Sequence, residues 1–193
     1  MRFIARAAAF AVYCVALGSP ALAQMPDPAR VAAQKAAMDK LAFLDGEWRG
    51  PSKMLVGKDT WRTMTQAERV GPMLDGSVRV IEGRGYEADG KLNFNAFAVI
   101  SFDPDTKAYT MRSWQGGRVG DFPIEVIENG FKWDLEAGPG VKINYVATVK
   151  DGVWTEIGAR STNGGPAVKF YEFSVTRLRD TSWPASGFVG PAD

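Results

Sequence analysis

The sequence predicts an all-β protein: a single antiparallel up-and-down β-barrel of about ten strands with an N-terminal capping helix. Three observations carry this. From Gly46 to Leu178, turn signals recur roughly every 8–14 residues, and no helical stretch lies between them. The connections are of hairpin length and leave no room for parallel crossovers. A meander this long must curl, and closing it removes both exposed edges.

The chain opens on a segment with the three parts of a secretory signal. Arg2 and Arg6 supply the positive n-region, Ala7–Leu17 the apolar run, and Ser19-Pro20-Ala21-Leu22-Ala23 the small residues of a cleavage site. Cleavage is expected before Gln24, which places the mature chain in the periplasm or outside the cell. The apolar run is shorter than the ~20 residues that span a bilayer, so no transmembrane anchor is expected after cleavage. Tyr13 precedes Cys14 where a lipoprotein signal needs a small residue. Loss of Arg2 and Arg6 takes the basic count from 23 to 21 against 22 acidic residues, a net charge of −1. With no basic run, nucleic acid and an electrostatic membrane site are not expected partners.

The chain has no histidine, and its one cysteine, Cys14, falls in the leader. Serine triads, papain-like sites, structural zinc and histidine-held haem are excluded on that ground. No disulfide is available either. A mature chain of this length can bury ~70% of its unfolded surface, so a hydrophobic core must hold it as one domain.

Asp27-Pro28 starts the helix, with Asp27 as N-cap and Pro28 at the first helical position. Val31, Met38, Leu41 and Ala42 share one face, and the helix is expected to end near Gly46. Beyond it, Asp89-Gly90, Asn129-Gly130 and Asp151-Gly152 are two-residue hairpin signals. Asp103-Pro104-Asp105-Thr106 and Asn163-Gly164-Gly165-Pro166 mark further turns, as do Met73-Leu74-Asp75-Gly76, Gly116-Gly117 and Gly138-Pro139-Gly140. A two-residue loop at Asp151-Gly152 pairs Lys150 with Val153 and Val149 with Trp154. Continuing, Ala147 faces Glu156, Tyr145 faces Gly158 and Ile143 faces Arg160, all on one side. The Asp89-Gly90 hairpin puts Glu82, Arg84, Tyr86, Asn95, Phe97 and Val99 on one side, opposite Gly83, Gly85, Phe94, Ala96, Ala98 and Ile100. Which of those sides faces inward stays open.

Phe43-Leu44-Asp45-Gly46-Glu47-Trp48, ahead of the meander, resembles the start of the calycin superfamily: lipocalins, fatty-acid-binding proteins and nitrobindin-like barrels. The nearest likeness is to bacterial exported lipocalin-like domains, over about residues 46–178. The resemblance implies that a late basic residue, Arg177, packs on Trp48 as a structural plug at the closed end. The nitrobindin-like branch holds haem through histidine, which this chain does not have, so no cofactor is carried over.

The candidate ligand-binding residues are Arg84, Arg112, Trp114, Tyr145, Trp154, Glu156 and Arg160. Arginine inside a barrel offers a planar fork to a ligand carboxylate, and interior charges must pair with something. Trp114, Tyr145, Trp154 and Trp133 read as an aromatic wall or as core filling. A carboxylate pair for acid–base work is conceivable among Glu68, Glu82, Glu156 and Glu172, though spacing singles out none, and no catalytic residue is assigned. No metal-binding loop is present in the sequence. The expected organisation is a signal peptide (1–23), an N-terminal segment with the capping helix (24–45), the barrel (46–179) and an irregular tail (180–193). The expected function is binding of a small hydrophobic or amphipathic molecule inside the barrel. The alternatives are a cofactor-free enzyme using interior Glu, Arg or Tyr on such a ligand, and a filled barrel that serves as a structural or interaction module.

Overall fold

The computed structural model describes residues 27–183. The signal peptide with its cleavage point, and the tail from residue 184, lie outside the described residues. Helix α1 (Pro28–Asp39) begins as its sequence dictates: the Asp27 carboxylate accepts from the N–H groups of Ala29 (2.9 Å) and Arg30 (3.2 Å). It stops earlier than the periodicity suggests. A short 3-10 turn (Ala42–Leu44) follows, and this break drops Leu41 and Leu44 into the barrel end beside Met38, while Val31 stays exposed.

Ten strands follow: β1 (Gly46–Leu55), β2 (Trp61–Met73), β3 (Val78–Tyr86), β4 (Leu92–Asp103), β5 (Ala108–Gln115), β6 (Arg118–Ile127), β7 (Gly130–Glu136), β8 (Val141–Lys150), β9 (Val153–Thr162) and β10 (Val168–Arg179). Each pairs antiparallel with its sequence neighbour, and β1 also pairs with β10, so the barrel closes. The turns make this meander as the sequence proposes at several points. Asp151 and Gly152 both take positive φ, and the β8–β9 register is the one deduced above, from Lys150↔Val153 to Ile143↔Arg160. Two hairpins differ. At Asp89-Gly90 only Gly90 has positive φ, and the loop widens to three residues closed by Glu87 N–H to the Lys91 carbonyl at 2.9 Å. At Asn129-Gly130 the loop is Glu128-Asn129, because Gly130 already pairs with Ile127 in β7.

The helix covers the end of the barrel that carries the β2–β3 and β4–β5 turns. Lys35 pairs with Asp75, Arg30 with Asp105, and the Tyr109 hydroxyl donates to the Ala37 carbonyl at 3.1 Å. Arg79 is the inner tie. Only 4% exposed, it holds Asp45 through two 2.7 Å bonds and donates to the Met38 carbonyl. A buried charge so fully paired is a structural group. Against this plug Trp48 is buried, its indole N–H donating to the Leu44 carbonyl at 2.9 Å. The Arg177 guanidinium lies 5.9 Å from the Trp48 ring and donates to the Asp45 carbonyl at 2.7 Å. Trp154 packs edge-on against Trp48 at 5.9 Å. The core is therefore concentrated at the helix end, and the side chains thin out toward the other.

Candidate functional site

Above that core the barrel encloses a cavity of about 390 Å³. Ten strands enclose more space than their inward side chains fill. The sequence left the faces of β3 and β4 open, and the structure turns Gly83, Phe94, Ala96 and Ala98 inward. The reason lies on the neighbouring strand. Gly83 pairs with Glu68, and a Cβ there would sit 2.9 Å from both of its carboxyl oxygens. A Cβ at Gly85 would sit 3.5 Å from the Gln66 side-chain oxygen. Small residues on β3 thus make room for two long polar side chains pointing inward from β2.

This orientation removes three of the expected ligand contacts. Arg84 and Arg112 lie on the outer surface, where Arg84 pairs with Glu82 at 2.6 Å and Arg112 approaches Asp121 at 3.7 Å. Trp114 is outside too, 42% exposed, 6.1 Å from Phe97 and under the Arg112 guanidinium. Arg160 shares the strand face of Glu156 but sits near the strand end, is exposed and does not line the cavity. Tyr145, Trp154 and Glu156 do line it, together with Trp133. Of the four glutamates considered for an acid pair, Glu68 and Glu156 are inside. Glu82 and Glu172 are outside, the latter held by Lys53 at 2.7 Å and by Lys169.

The interior is aromatic on one side. Trp133 and Tyr145 stack at 4.2 Å with planes 12° apart, and Phe170 and Tyr171 meet Tyr145 edge-on at 6.1 and 6.3 Å. A bulge between Lys169 and Tyr171 in β10 lets both Phe170 and Tyr171 face the cavity. Gly158 leaves the space for Tyr145, whose ring carbon a Cβ there would meet at 2.7 Å. Met54, Met64 and Met111 add flexible apolar wall. The Trp154 indole N–H is buried with no partner among the described residues.

The polar groups are two carboxyls, three amides, one serine hydroxyl and two phenols. Gln66 donates to Glu68 at 2.6 Å. Burial pushes the Glu68 carboxyl well above the usual range, against that hydrogen bond and with help from the charges of Glu156 and Glu82. Burial likewise pushes Glu156 up to about 7. Tyr145 and Tyr171 are raised by burial first and by the Glu156 charge second. Near neutral pH the cavity thus holds one carboxyl in mid-titration, Glu156, a second, Glu68, raised in the same direction, and two phenols raised above their ordinary range. Glu68 was only one of four candidates in the sequence, because period-two alternation cannot show which strands lie across a barrel from each other. Among the described residues no group of three or more His, Cys, Asp or Glu is placed to hold a metal ion. No helix among them is long and apolar enough to cross a membrane.

No protein-family model matches the chain, and no curated protein matches its sequence. Among solved structures it is similar to Rv2717c from M. tuberculosis, with a TM-score of 0.56 and 10% identity, over 74% of this chain and 98% of that one. The likeness is one of fold. A closed ten-stranded antiparallel barrel is consistent with the calycin-like architecture that the Gly46-Glu47-Trp48 start suggested.

Proposed function

We propose that this chain is an exported binding protein for a small hydrophobic or amphipathic molecule held inside the barrel. The observation that carries this is the cavity of about 390 Å³, roofed by aromatic rings and furnished with a few converging polar groups. A barrel filled by its own side chains has no such space, which counts against the interaction module. Export rests on the leader sequence alone.

The test is native mass spectrometry of the purified protein followed by organic extraction. A molecule that co-purifies with wild type and is lost from Trp133→Ala or Glu156→Gln supports the binding reading. Protein that carries nothing and shows no melting-temperature response to fatty acids, aromatic amines, alcohols or acids overturns it.

One observation favours a second reading, a cofactor-free enzyme. Among the described residues Glu156 has no cationic partner, and burial pushes its carboxyl up to about 7, the range suited to a general acid or base. Conversion of the extracted molecule by wild type, but not by Glu156→Gln, distinguishes catalysis from storage.

A further inference from the structure

Two carboxyls face the cavity, and among the described residues no lysine or arginine lines it. Glu68 is 8% exposed; its Oε1 accepts from Gln66, and its Oε2 has no partner among the described residues. Glu156, from β9, is half-buried, and it has no hydrogen-bond or ion-pair partner among them either. The other titratable groups facing Glu156 are Tyr145 from β8 and Tyr171 from β10. Buried carboxyls cost free energy unless they are neutralised by a proton or a cation. The barrel's one buried arginine among the described residues, Arg79, is spent on Asp45 at the helix end, and β3 carries a glycine where any side chain would crowd Glu68. An anionic ligand would add a third acid to this space. The ring faces of Trp133, Tyr145 and Tyr171 attract positive charge on the same wall.

We infer that the cavity selects an organic cation: an amine whose ammonium group meets Glu68 and Glu156 while its apolar body lies along Trp133, Tyr145, Phe170 and Tyr171. The inference rests on the binding reading above and names the chemistry of its ligand. The bound ammonium keeps the carboxyl it meets ionised. Where that carboxyl carries a proton in the empty protein, binding releases the proton to solvent, so amine affinity rises with pH.

The probes are 4-phenylbutylamine, 4-phenylbutanol and 4-phenylbutyrate, titrated by calorimetry into purified protein whose native mass spectrum shows no bound molecule. At pH 8 the amine is expected to bind at least tenfold more tightly than the alcohol or the acid. That preference should shrink toward pH 5.5, and calorimetry in buffers of different ionisation enthalpy should register proton release. Glu156→Gln and Glu68→Gln should each reduce the preference for the amine over the alcohol. Alcohol or acid binding as tightly as the amine at pH 8 overturns the cation inference and leaves a binding cavity standing. If none of the three binds and the wider ligand panel also fails, the binding reading falls and this inference falls with it.

Discussion

Replacing Glu156 by glutamine should make the protein more stable at pH 8 and leave it nearly unchanged at pH 5. Burial raises this carboxyl from its ordinary 4.5 to about 7. Because the folded value lies above the unfolded one, its contribution is most favourable below about pH 4.5, where both states are protonated. That stability is lost as pH rises through 7. At about 1.4 kcal/mol for each tenfold change in proton binding, the full loss is about 3 kcal/mol, most of which falls between pH 5 and 8. The window is unusually clear, since the chain has no histidine. The carboxyls lowered by their partners, Glu47, Asp103, Asp134 and Glu172, act with the opposite sign and below this range. Glu68 shifts in the same direction as Glu156, so wild type should lose at least that much. The assay is urea unfolding followed by tryptophan fluorescence at pH 5, 6, 7 and 8, for wild type and Glu156→Gln. The variant's advantage at pH 8 should be about 3 kcal/mol, or roughly 6–12 °C in melting temperature for a chain of this size. A wild-type stability that stays flat from pH 5 to 8 would refute the reasoning, as would a variant equally weakened at both ends.

Further outcomes follow from the packing. Gly50→Ala places a Cβ against the Ser174 carbonyl oxygen and 2.9 Å from the Val175 Cα, at the β1–β10 seam, so it should cost about 2–4 kcal/mol in denaturant titrations. Gly152→Ala meets no neighbour but holds φ +74°, and a loss of only about 1–2 kcal/mol is expected, measured in the same way. Trp48→Ala empties the junction between helix plug and barrel and should cost about 3–5 kcal/mol by the same measurement. Arg84→Ala and Arg112→Ala, both on the outer surface, should leave amine affinity within twofold; a tenfold loss from either would place the binding site elsewhere.

What the sequence revealed depended on whether the deciding interaction was local. The β8–β9 register was legible because Asp151-Gly152 adopts one tight turn, and a tight turn fixes every pairing above it. The faces of β3 and β4 were not, since both sides of that hairpin carry apolar residues. The choice is made by Gln66 and Glu68 on the next strand, which need the space beside Gly83 and Gly85. Arg112, read as an interior charge, and Trp114, read as aromatic wall or core filling, lie outside, because the strand turns Met111 and Ser113 inward instead. The site's polarity was inverted as a result: arginine was expected to read a carboxylate, whereas the cavity is lined by acids. Arg79 gave no sign of its role, because its partner Asp45 lies 34 residues earlier, just ahead of β1.

The β1–β10 seam has a consequence for how the molecule is made. Glu47 and Arg179, bonded across it at 2.8 Å, are 132 residues apart in sequence. A chain emerging from its amino end builds nine hairpin pairings in order, each between neighbours, while β1 waits with one bare edge. Closure comes only when the last strand arrives, and until then a nascent or truncated chain presents two unpaired strands to any other like it. Folding of this barrel should therefore be limited by one long-range event rather than by its many local ones.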